Sequence, residues 1–186
     1  MIVMRPAVNR HADTRLIRKP LSELWQRNVK VAAMSLVTAR CWTSLSPDKA
    51  LLAGLMHGIG RVYILTRAIH HPALFADVEC YARIVRDWHV SIAKAVLESW
   101  DISPDVIEAV EHHEKVDRRG AGSPDLTDVL NIANLLSTFH ADRPQLEKRL
   151  QETTASQRLG LTPDACQKAV QETAAELASL RQALGA

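Results

Sequence analysis

The sequence is poor in cysteine: Cys41, Cys80 and Cys166 are its three, with no Cys-x-x-Cys pair. That spacing argues against a zinc knuckle or a disulfide framework and predicts reduced thiols in a cytoplasmic setting. No run of about 18 apolar residues occurs, so no membrane span and no membrane partner are expected. Arg5, Arg10, His11 and Arg15 are not followed by an apolar stretch, so the N-terminus does not read as a signal peptide. Aromatic residues make up only 4%, and none interleaves the N-terminal arginines. A nucleic-acid partner is therefore not expected. There is no Gly-rich phosphate loop, no Ser-His-Asp set and no nucleophilic cysteine context. Internal repeats of 20–50 residues are also absent.

What is present is an ordinary globular balance over 186 residues, 47% hydrophobic and 24% charged. That length suits one domain and excludes a disordered scaffold. The net charge of +2 is small but uneven. Residues 1–19 hold Arg5, Arg10, Arg15, Arg18 and Lys19 against Asp13 alone. We expect a basic arm over 1–20 and a helical domain over 21–186.

Ser/Thr-Pro-Asp occurs at Ser46-Pro47-Asp48, Ser103-Pro104-Asp105, Ser123-Pro124-Asp125 and Thr162-Pro163-Asp164. Each has the chemistry of a helix start: a capping hydroxyl, a proline where no N–H is needed, and an acid at the positive dipole end. The other prolines, Pro6, Pro20, Pro72 and Pro144, are expected between periodic segments. Apolar stripes recur at helical spacing and no period-two segment stands out, which predicts an all-α, multi-helix bundle. One stripe is Leu51, Leu52, Leu55, Met56 and Ile59; another runs from Val78 to Trp88, with a bend expected near Asp87 before the next begins at His89. A helix of about 16 residues is expected from Leu126. Cys166, Val170, Thr173, Leu177, Leu180 and Leu184 form a heptad-like row, expected to pack back onto the domain.

Gly58 and Gly60 are expected to relieve a left-handed cap where two helices meet, leaving His57 in a last turn. His89 heads an apolar stripe and should point inward or into a cleft, while His112 and His113 close a helix. Thr127, Asn131, Asn134 and Thr138 form a polar stripe that is either a solvated face or the lining of a cleft.

At this point the sequence resembles a known family. Leu51-Leu52-Ala53-Gly54-Leu55-Met56-His57-Gly58-Ile59-Gly60 is similar to the signature segment of the HDOD domain, a relative of the HD superfamily of metal-dependent phosphohydrolases. That family usually reads Leu-Leu-His-Asp-Ile-Gly there. Leu24 to Ala32 resembles the segment that carries the superfamily's first histidine. His89 to Trp100 followed by Ile102-Ser103-Pro104, then Val110-Glu111-His112-His113-Glu114, then Ile132-Ala133-Asn134-Leu135-Leu136, resemble later motifs in the family's order. The resemblance covers roughly residues 21–180.

The resemblance implies an α-helical bundle. In catalytic members, histidines and aspartates hold one to three divalent metals that activate water against a phosphate ester. HDOD members are regarded as regulatory modules of bacterial signal transduction. This sequence departs at the ligand positions: Arg27 stands for the first histidine, Gly58 for the bridging aspartate and Asn134 for the final aspartate. A dication favours carboxylate or neutral imidazole, whereas arginine is permanently cationic. A guanidinium about 4 Å from a dication would be repelled by several kcal/mol even at an effective dielectric of 20. The remaining histidines, His57, His89, His112 and His113, have Glu114 as their nearest carboxylate.

The expectation is a non-catalytic, HDOD-like regulatory module with a vestigial pocket at Arg27, His57, Gly58, His89, His112, His113 and Asn134. No cofactor is expected. The alternative is a metal-dependent phosphohydrolase or phosphodiesterase with an unusual site, using Mn, Fe or Zn on His57, His89, His112 and His113. Arg27, His57 and the His112-His113 pair are a candidate anion pocket. HDOD domains carry a further N-terminal helical half, and only about 20 residues precede the match here. The expected partner is a signalling protein, or a second copy of the chain forming a homodimer over uncovered apolar surface.

Overall fold

A computed structural model describes residues 15–115, 117–118, 122–139 and 141–184. It is all-α, and among these residues there is no strand. The helices are α1 (Arg15–Trp42), α2 (Pro47–Met56), α3 (Ile59–Ala68), α4 (Ala73–Ala76), α5 (Val78–Ser99), α6 (Pro104–His112), α7 (Leu126–Phe139), α8 (Arg143–Glu152), α9 (Thr154–Arg158) and α10 (Pro163–Leu184). Among the described residues no helix is long and apolar enough to cross a membrane.

The helix starts follow local chemistry. Ser46 accepts a hydrogen bond from the Lys49 amide at 3.3 Å, and Thr162 accepts one from the Ala165 amide at 3.3 Å. Ser103 precedes α6 without a side-chain cap. At Ser123-Pro124-Asp125 the cap is the aspartate instead. Asp125 accepts from the Asp128 amide at 2.9 Å, and Asp128 accepts from the Asp125 amide at 3.2 Å, a reciprocal capping box. Helix α7 starts at Leu126 as expected but ends at Phe139, so it has 14 residues rather than about 16.

Two expectations about breaks fail. Pro20 lies inside α1, and Pro144 lies in the first turn of α8, where its missing N–H costs nothing. Helix α1 therefore starts at Arg15, and the last residues of the expected arm are helical; residues 1–14 lie outside the described residues. Helix α5 also runs unbroken through Asp87. It ends in a Schellman turn: Ile102 N–H donates to Leu97 O at 3.1 Å and Asp101 N–H to Glu98 O at 3.1 Å. Asp101 takes the left-handed position with φ 54°.

Helix α1 is the axis of the bundle. From Asn28 to Ala39 nearly every side chain is buried, because α2, α3, α7 and α10 all pack on it. Val31, Met34, Leu97, Val110, Leu130, Ile132 and Leu136 belong to one continuous core. A smaller cluster, Ile17, Leu65 and Ile69, sits under the start of α1. Helix α10 lies on α1: of the heptad-like row, Cys166 and Thr173 are buried and Val170 and Leu177 half-buried, while the side chains of Leu180 and Leu184 lie outside the described residues. Burial pushes the Cys166 thiol up to about 11.

Gly58 and Gly60 serve close approach, not a left-handed turn. Gly58 has φ −93° and ψ 4°, which any residue adopts. A side chain at Gly58 would collide with the Asn28 amide, and one at Gly60 with the His89 carbonyl. Gly60 thus lets α3 press against α5 at the level of His89.

Candidate functional site

Three histidines converge from three helix segments. His57 is the C-cap of α2, His89 sits mid-way along α5, and His113 is the C-cap of α6. All three are buried. Their Nδ1 atoms meet backbone carbonyls: His57 with Gly54 O at 2.7 Å, His89 with Val85 O at 2.7 Å, His113 with Val110 O at 2.6 Å. A carbonyl can only accept, so each Nδ1 carries the proton and donates. Every Nε2 is thereby directed away from its own helix, the arrangement a ligating imidazole uses. The His57 and His113 rings are 5.5 Å apart and the His89 and His113 rings 6.3 Å, both edge to face. Burial, then the neighbouring His113, pushes His57 down to about 3. Burial also lowers His113. Both rings are neutral at pH 7.

The carboxylate is Glu114. Its Oε1 lies 3.1 Å from His89 Nε2 and 3.7 Å from His113 Nε2. His89, His113 and Glu114 place one ligand atom each within 4.8 Å of one another. Arg61, one turn into α3, meets the same atoms. Its Nη2 donates to Glu114 Oε1 at 2.7 Å and lies 3.1 Å from His89 Nε2. With a proton on Nε2, His89 donates to Glu114; without one, it accepts from Arg61. In both states Arg61 holds the carboxylate. The hydrogen bond with the His89 ring, together with the Arg61 guanidinium, holds Glu114 down at about 2 against the opposing effect of burial.

Arg27 and Asn134, which stand for the family's first histidine and last aspartate, bond to each other. Arg27 Nη2 donates to Asn134 Oδ1 at 3.0 Å. Partial burial and the nearby Arg61 lower the Arg27 pKa. The space beside Gly58 is filled by Asn28, a buried side chain whose Oδ1 has no hydrogen-bond partner.

Of the expected pocket, the structure brings together His57, His89 and His113, and sets Arg27 against Asn134 and Gly58 against Asn28. His112 does not join them. Its Nδ1 meets Glu108 O at 3.2 Å, away from the three rings. The anion pocket expected from Arg27, His57 and the His112-His113 pair is therefore not formed: His57 is buried and His112 faces elsewhere. Sequence reasoning missed Arg61 and Asn28. The signal for Asn28 was its place beside Arg27 in the matched segment; nothing local marked Arg61.

The polar stripe of α7 lines a cleft. Asn131 is buried and donates to His113 O and Lys115 O, both at 3.1 Å, which fixes the turn after α6. Asn134 and Thr138 face a cleft of about 270 Å³ with His113, Glu114, Phe139 and Arg149. Of the cluster, His113 and Glu114 line this cleft.

A family model of the HDOD domain matches residues 2–116. The chain belongs to the HDOD family. The match reaches further toward the N-terminus than the resemblance at 21–180 and stops short of α7, so Asn134 lies outside it. No curated protein matches. A solved structure from Shewanella amazonensis, described as a "putative metal-dependent phosphohydrolase", is 25% identical with a TM-score of 0.65. The alignment covers 86% of this HDOD chain and 61% of that protein's length. At 86% of the chain, the shared fold extends beyond the family match.

Proposed function

We propose that this HDOD chain is a non-catalytic regulatory module of cytoplasmic signal transduction, binding a protein partner or small ligand at its cleft face. The observation that carries this reading is the Arg61 guanidinium on Glu114 and His89, at 2.7 and 3.1 Å. The residues do not fit the metal centre of a phosphohydrolase. Glu114 is the one carboxylate at the cluster and already serves as the counter-ion of Arg61. Gly58 offers no side chain, Asn134 offers an uncharged amide, and the guanidinia of Arg27 and Arg61 lie beside the cluster. A hydroxide-generating centre needs anionic ligands and an open coordination position. No step of phosphate-ester cleavage is therefore assigned.

One observation favours the second reading, phosphohydrolase activity: the three Nε2 atoms point away from their helices as ligands would, in a fold shared with the Shewanella protein. The test is turnover of a simple phosphate diester with added manganese, iron or zinc. No turnover above the background of a His89→Ala variant supports the regulatory reading; turnover that the variant abolishes overturns it. For the partner, Trp88 and Trp100 present large apolar surface, 59% and 54% exposed. Self-association through such surface predicts a dimer mass at high micromolar concentration by light scattering.

A further inference from the structure

We infer that Arg61 is a built-in cation standing in for a metal ion, and that removing its charge opens a single-ion site for a borderline divalent cation such as zinc on His89, His113 and Glu114. The inference rests on the regulatory reading above, because a metal held by the native chain would defeat both.

Ligand geometry comes first. Around a tetrahedral zinc with bonds near 2.05 Å, neighbouring donor atoms lie about 3.3 Å apart. His89 Nε2 and Glu114 Oε1 are 3.1 Å apart, and His113 Nε2 is 3.7 Å from the same oxygen. Arg61 lies beside both atoms, with Nη2 3.1 Å from His89 Nε2 and 2.7 Å from Glu114 Oε1. That nitrogen carries two N–H groups and reaches both. A guanidinium can do this because its charge is fixed and its donors lie in a rigid fork. The rings are already prepared for a metal, since Val85 O and Val110 O hold the protons on Nδ1. Arg61 is reached from α3 only because Gly60 lets that helix lie against the His89 backbone. Imidazole and carboxylate together suit zinc better than magnesium or calcium. Arg27 remains nearby, but its guanidinium is drawn to Asn134.

The experiment is a zinc titration of the full chain by competition with a chromophoric chelator, repeated with cobalt to read the d–d absorption of the bound ion. The native protein is expected to hold no stoichiometric zinc. Arg61→Met, which keeps the stem and loses the charge, is expected to bind one zinc at least about 100-fold more tightly than the native protein. Arg61→Lys keeps the charge and should stay near the native value. Arg61→Met combined with His89→Ala should lose the gain. Zinc on the exposed His70-His71 pair is a background common to all four proteins. Arg61→Gln provides a second neutral variant, and far-UV circular dichroism verifies that each variant is folded. If folded Arg61→Met and Arg61→Gln bind zinc no better than the native chain, the inference fails and the regulatory reading stands. If the native chain itself holds one zinc that His89→Ala removes, both fail.

Discussion

Two charged clusters lie against α7, one at its N-terminal end and one at its middle, and differ in how their charges balance. At the N-terminal end, Asp128 is buried and takes Arg158 Nη1 on both oxygens, at 3.0 and 2.9 Å, and Arg118 Nη1 at 3.4 Å. Asp125 pairs with Arg118 through two bonds of 2.8 Å. Arg158 also donates to Arg118 O at 2.8 Å. Three carboxylates, counting Glu108 at 4.0 Å from Arg118 Nη2, meet two guanidinia, and the cluster ties α9 and the segment before α7 to the bundle. At the cleft, by contrast, Arg27 and Arg61 face one carboxylate, three imidazoles turn their Nε2 atoms outward from their helices, and Asn28 keeps an unpartnered oxygen. A cluster built for stability closes its accounts; this one retains the form of a ligand shell with a side-chain cation inside it.

The largest test of that contrast is Asp128→Ala. It strands two buried guanidinium contacts, and loss of one partner from a buried ion network costs about 3–5 kcal/mol. Urea denaturation should show a loss of that size with no change in zinc binding. A loss under about 1 kcal/mol would break the comparison. Gly60→Ala comes next: the new methyl meets the His89 carbonyl, a backbone atom that cannot turn aside. Overpacking at such a site costs up to about 3 kcal/mol and moves Arg61 with α3.

Acid should separate the clusters further. The folded pKa of His57, about 3, lies below the ordinary 6.5. The unfolded chain therefore binds the extra proton, and stability falls as pH drops from about 6.5 toward 3. At pH 5 the expected loss from this group is about 2 kcal/mol. Glu114, held at about 2 against an ordinary 4.5, adds loss below pH 4.5 in the same direction. The check is stability by urea denaturation between pH 7 and 5, where His57→Asn should flatten the slope. Arg27→Ala is the smallest change. It removes one hydrogen bond at the cleft rim, so its effect on stability should stay within about 1 kcal/mol.

Much of the fold was legible because its signals are local. The caps at Ser46 and Thr162 and the stripes of α2 and α5 follow from side-chain chemistry and helical spacing. The cap of α7 was misread because Ser123 and Asp125 are both good caps, and only the pairing with Asp128 decides between them. Pro20 was misread because it falls in the largely exposed first part of α1, before the buried run that begins at Asn28. In the site, the burial of His89 follows from its place on an apolar stripe, although it lies mid-way along α5 and not at the start of a helix. His112 and His113 differ by one step of about 100° around the helix, and spacing alone does not say which turns inward. Arg61 was invisible: its role depends on α3 crossing α5 at Gly60, a contact between residues far apart in sequence. The absent aspartate at Gly58 was readable as a loss, but its replacement by the Asn28 amide required the packing of α1 against α2.

The most direct measurement is the metal content of the native chain, by elemental mass spectrometry after expression in medium enriched in manganese, iron and zinc. The account predicts substoichiometric metal that dialyses away. One or more ions per chain, retained on dialysis and lost in both His57→Ala and His89→Ala, would contradict it.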